Sequence, residues 1–211
     1  MTTVQMSVHR GLSEIKLLSS RIQKSVNSTF VVSNKVSNKT IGGRSINEVR
    51  QVIEGNFDSV IALIENRKRI KSALVLSNAS TKVTIAGKEY AVAEAIERKA
   101  SVDLDRLFLA SLKSQFVSHN NNVESQNSQL SGKLETYLAS VLGEKSSRSA
   151  EDVKMHTKVF EDQNRFELID PKHIANYIES LEKEIDEFES QVDYVLSESN
   201  ATTFFEVDLV D

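Results

Sequence analysis

The sequence predicts a mostly α protein: an elongated helical bundle or coiled coil, with a small antiparallel or mixed β-sheet formed by short strands at helix ends. Three observations carry this reading. Apolar residues recur at steps of three and four over long stretches, the signature of one helical face. One proline and seven glycines in 211 residues leave few places to break those stretches. A related phrase also recurs where helical patterning gives way to β-rich residues: Val26-Asn27-Ser28-Thr29-Phe30, Ser77-Asn78-Ala79-Ser80-Thr81 and Ser199-Asn200-Ala201-Thr202-Thr203. Asn tolerates the left-handed conformation that ends a helix, and the residues after it favour extended chain. Segments 30–32, 82–90 and 203–208 are therefore expected to be extended, with at least two of them paired in one sheet.

The first helix is expected from about Thr3 to Val26, on the stripe Val4, Val8, Leu12, Ile15, Leu18, Ile22 and Val26. Residues 30–44, rich in Ser, Asn, Lys and Gly, read as a mobile loop. Ser45 and Glu48 form an S-x-x-E capping box opening a second helix to Asn78, with Gly55 as a possible kink. Residues 82–90 read as a β-hairpin turning at Ala86-Gly87, where glycine takes positive φ. A third helical stripe follows: Val92, Ile96, Leu104, Leu107, Phe108, Leu112 and Phe116. The polar segment 118–129 is either a helical projection or a break. Leu130 to Val141 restores the periodicity, residues 143–149 read as a linker, and Ser149 with Asp152 caps a short helix to about Gln163. Phe166 to Ile169 alternates like a brief strand. Asp170-Pro171 then reads as N-cap plus N1 proline, opening a heptad helix over 171–199. Ile174, Ile178, Leu181, Ile185, Phe188, Val192 and Val195 give it the a/d seam of a coiled coil. The whole, 1–211, reads as a single elongated helical domain.

Composition narrows the function. The absence of cysteine excludes disulfides, zinc–thiolate sites and cysteine nucleophiles. No apolar run suggests a signal peptide or a membrane span, so no membrane partner is expected. The Asn-x-Ser/Thr sites at Asn27, Asn38, Asn78 and Asn200 read as turn chemistry. The net charge of −4 hides a polarity: residues 1–50 hold eight Lys/Arg against two Glu, a net of +6, whereas residues 178–211 hold eleven acids against Lys183, a net of −10. Ends of opposite sign attract, within one fold or between copies. The basic residues are scattered among few aromatics, which argues against a nucleic-acid surface.

No catalytic constellation emerges, and neither an enzyme nor a cofactor is expected. His9, His119, His156 and His173 lack metal-ligand spacing. Asp103-Leu104-Asp105 lies within helical periodicity, as a solvated face does. Gly42-Gly43-Arg44-Ser45 lacks P-loop spacing, and capping accounts for it. The candidate interaction residues are the seam positions Ile178, Leu181, Ile185 and Phe188, with Glu182, Asp186 and Glu189 flanking them to set solubility and partner choice.

The segments RKRIKSALVLSNASTKVTIAGKEYAVAEAIERK (Arg67 to Lys99), VLSESNATTFFEV (Val195 to Val207) and MSVHRGLSEIKLLSSRI (Met6 to Ile22) resemble a group of helical virion structural proteins of tailed bacteriophages, of undefined role. The resemblance touches roughly a third of the chain, in segments that carry no catalytic motif. It implies a capsid- or tail-associated component, made in the host bacterial cytoplasm and carried in the virion. Its partners would be other virion structural proteins, in a homo- or hetero-oligomer. The alternative reading is a non-virion cytoplasmic coiled-coil scaffold or assembly chaperone.

Overall fold

The computed structural model describes residues 1–210. The protein is mostly α, with small two-stranded antiparallel sheets. In chain order its elements are β1 (Thr2–Ser7), α1 (Val8–Ser25), β2 (Thr40–Ile41), β3 (Arg44–Ser45), α2 (Ile46–Ser80), β4 (Lys82–Ile85), β5 (Lys88–Ala91), α3 (Val92–Ser128), α4 (Leu130–Leu142), a 3₁₀ turn (Lys145–Ser147), α5 (Ala150–Asn164), α6 (Ile174–Thr202) and β6 (Phe204–Leu209). The chain divides into two compact units, Met1–Ala100 with Glu187–Asp211 and Ser101–Asp186, where the sequence reads as one domain.

The expected shared sheet is replaced by three separate pairs among the described residues: β1 with β6, β2 with β3, and β4 with β5. Phe30 to Val32 joins no ladder. The partner of β6 is the N-terminal segment, which the helical stripe misassigns. Val4 and Val8 fit a four-residue step, but with Met6 they also fit a two-residue step, and the strand periodicity prevails through Ser7. Val4, Met6, Phe205 and Val207 then share one face, in a register that sets Val4 opposite Val207 and Met6 opposite Phe205. Ser7 caps α1, its hydroxyl accepting from Arg10 N–H at 3.2 Å.

Asn78 and Asn200 do not end their helices. Both helices continue two residues further, and the exits are built by Thr81 and Thr203, whose N–H groups donate to Ser77 and Ser199 carbonyls at 2.9 Å. The two later copies of the phrase thus make the same helix-to-strand turn. The first does not, because α1 ends at Ser25 in a turn with no strand after it. The capping box at Ser45 and Glu48 is present, α2 runs unbroken through Gly55, and the 30–44 segment ends in the β2–β3 turn at Gly42 and Gly43. The β4–β5 hairpin turns at Ala86 (φ 51°) and Gly87 (φ 74°), as the Ala-Gly pair predicts.

In the second unit, segment 118–129 is helical through Ser128. Residues 143–149 form a structured corner: Gly143 takes φ 75°, and Arg148 donates to its carbonyl and to Glu135, each at 3.0 Å. Phe166 to Ile169 makes no strand ladder. The Asn127 side-chain amide instead pairs both ways with the Phe166 backbone at 2.9 Å, taking the place of a neighbouring strand. The last helix begins at Ile174 rather than Pro171, because His173 adopts φ 52°. The Asp170 carboxylate caps the delayed start, accepting from Ile174 N–H at 2.8 Å.

The first unit holds two cores. Met6, Val8, Leu18, Ile70, Leu74, Phe205 and Val207 are buried between the β1–β6 sheet and α1 and α2. Gly11 permits that approach, since a Cβ there would lie 2.7 Å from the Phe205 ring. Ile85, Ala95, Phe188 and Val192 form the other, with the Tyr90 ring edge-on to Phe188 at 5.8 Å. In the second unit Val102, Leu109 and Ile185 are buried together, and Leu138 of α4 is also buried.

Candidate interaction surfaces

The heptad seam of α6 is occupied by the chain itself. Within the second unit Ile185 packs on Val102 and Leu109 of α3, with Ile178 and Leu181 half-buried alongside. Within the first, Phe188 and Val192 pack on the hairpin and on Ala95. Of the acidic residues, Glu182 forms an ion pair with Lys113, Asp186 is exposed and Glu189 is half-buried. A further α6 acid, Asp193, pairs with Lys99. Ile185 and Phe188 of the predicted seam are thus packed within the fold, and the more exposed apolar surfaces lie elsewhere.

One of them is the opposite face of α3, which sequence periodicity assigns to the core. Leu104 and Leu107 are 69% and 70% exposed, and Phe108 is 49% exposed, while Val102 and Leu109 are buried. At 100° per residue, Leu104 and Leu107 stand about 140–160° from those buried positions, so α3 carries two apolar faces. The Phe108 ring meets Tyr177 edge-on at 6.2 Å, extending the apolar patch onto α6 within the same unit. The sequence signal was the width of the stripe.

In the first unit, Leu76 and Phe204 are exposed beside a cleft of about 520 Å³ between α2 and β6. A second cleft of about 510 Å³ lies over the start of α2, lined by Val32, Val36, Ile41, Ile46, Val49 and Ile53. The N-terminus of α2 is already capped. Ser45 N–H donates to Glu48 Oε2 at 2.7 Å and Ser45 Oγ accepts from Glu48 N–H at 3.3 Å. The bond from the Ser45 backbone N–H, and after it the Ser45 hydroxyl, hold the Glu48 carboxyl below its ordinary range.

The histidines do not converge. His156 Nδ1 lies 3.1 Å from the Tyr137 hydroxyl, and that ring stacks on Phe160 at 5.2 Å, a packing contact between α4 and α5. Among the described residues no group of three or more His, Asp or Glu is placed to hold a metal ion. Among the same residues, no helix is long and apolar enough to cross a membrane. No protein-family model matches the chain, and comparisons with characterised proteins and with solved structures find no match.

Proposed function

We propose that this chain is a structural component of a bacteriophage virion, capsid- or tail-associated, and acts through helix-mediated assembly rather than catalysis. The observation that carries the reading is the outward apolar face of α3. Burying side chains such as Leu104 and Leu107 is worth about 1.5–3 kcal/mol each when complete, a gain this chain leaves unused by itself. Contiguous exposed apolar residues of this kind mark interaction sites. The likeness of three segments to phage virion proteins supplies the setting.

The mechanism is geometric: one face of α3 builds the unit, and the other is offered to a neighbouring subunit. The +6 and −10 ends contribute orientation, through charges that salt screens over about 8–10 Å. Quantitative mass spectrometry of purified particles tests the assignment. Recovery in fixed stoichiometry with other particle proteins is expected. Presence in infected cells but absence from particles would overturn it in favour of a cytoplasmic scaffold or assembly chaperone.

A further inference from the structure

We propose that two copies of this chain join edge to edge through β1, making a four-stranded antiparallel sheet in the order β6–β1–β1′–β6′. The proposal rests on the first unit's sheet and goes beyond the virion reading without depending on it.

The phase of the ladder decides which backbone groups are free. Val8 N–H donates to Thr203 C=O at 3.0 Å, and the register continues through Ser7 opposite Phe204 to Thr2 opposite Leu209. In an antiparallel pair, hydrogen-bonded positions alternate with non-bonded ones. Met6 and Val4 therefore bond to β6, while Thr3 and Gln5 direct their N–H and C=O groups away from it. The far side of the sheet shows the same alternation. Asp208, opposite Thr3, turns its carbonyl outward to Arg69 at 3.2 Å. Val210 turns outward to the Asn66 amide, accepting at 2.9 Å and donating at 2.7 Å. Side chains of α2 thus hold the outer edge of β6. Among the described residues nothing meets the outward backbone groups of Thr3 and Gln5, and both residues are exposed.

Charge selects the occupant. Edge strands are normally guarded by charge, proline or a covering element. β6 carries Glu206 and Asp208, β4 carries Lys82, and β5 carries Lys88 and Glu89. Among the described strands longer than two residues, β1 alone has no charged side chain, and it has no proline. Two β6 edges brought together would oppose like charges, which destabilises a sheet. Two β1 edges oppose none. Pairing Thr3 with Gln5′ and Gln5 with Thr3′ about a two-fold axis at Val4 forms four N–H···O=C bonds. It also sets Val4 against Val4′ on the apolar face, where Val4 is only half-buried. The arrangement is isologous and closed, the commonest symmetry of soluble oligomers.

Amide exchange and sedimentation of the full chain over a concentration series provide the test. Dimer mass should appear with concentration, and exchange at the Thr3 and Gln5 amides should slow about tenfold or more as it does. Gln5→Pro removes an N–H that β6 does not use, and should leave a folded monomer. Gln5→Lys keeps that N–H but sets two ammonium groups diagonally across the two-fold axis, and should shift the equilibrium to monomer even if Gln5→Pro fails to fold. Gln5→Thr should keep the dimer. A monomer at every concentration, or a dimer that survives Gln5→Lys with Thr3 and Gln5 still exchanging fast, overturns the proposal. A monomer found in particles contradicts this proposal alone, whereas a β1-paired dimer absent from particles contradicts the virion reading alone.

Discussion

In the first unit β1 and β6 close over α1 and α2, and residues from four elements, among them Val8, Ile70, Leu74 and Phe205, are buried in one interior. In the second unit α5 buries no residue fully, α4 buries only Leu138, and α3 leaves Leu104 and Leu107 in solvent beside its buried Val102 and Leu109. The difference follows from layers. A sheet backed by two helices encloses side chains from several directions, whereas a helix with one neighbour covers one face. Both units leave apolar residues exposed, but only the first encloses a core between a sheet and two helices.

That contrast predicts unequal responses to truncation. Ile70→Ala, in the first unit's closed core, should cost about 2–5 kcal/mol in denaturant unfolding. Ile185→Ala and Phe188→Ala should fall in the same range, being buried seam residues of α6. A loss below about half a kcal/mol at these positions would place the seam in solvent. Gly11→Ala tests the close approach of α1 to Phe205. The helix gains about 1 kcal/mol from alanine, but overpacking costs about 1–3 kcal/mol, so net destabilisation with a displaced Phe205 ring signal is expected. Ser45→Ala should cost about 1 kcal/mol through the lost cap. Because the folded Glu48 carboxyl titrates below its unfolded value, its contribution is present above the unfolded value and is lost as pH falls through the folded one. Ser45→Ala should therefore flatten the acid limb of the stability–pH curve. The smallest effect on stability belongs to Leu104→Ser and Leu107→Ser, within about half a kcal/mol, while assembly into particles is lost.

Legibility in the sequence tracked how local each signal is. The Ser45–Glu48 box, the Ala86-Gly87 turn and the Ser149 cap were readable because each rests on residues three or fewer apart. The α6 stripe was readable because its buried residues lie on a single helical face. β1 was not, since Val4 and Val8 satisfy helix and strand periods alike, and only pairing with residues about two hundred positions away decides between them. The strand-like Phe166 to Ile169 segment failed for the converse reason: its one neighbour is the side chain of Asn127, which leaves no periodic trace. Periodicity also marks apolar faces without saying which are covered. Leu104 and Leu107 therefore read as core, when the buried residues of that stretch are Val102 and Leu109.

Hydroxyl-radical footprinting of Leu104, Leu107 and Phe108, in the free chain and in purified particles, puts the question most directly. Ready oxidation of all three is expected in the free chain and strong protection in particles, with buried Val102 and Leu109 unreactive in both. Equal labelling of the three in both states, in particles that contain the chain, would contradict assembly through the outward face of α3.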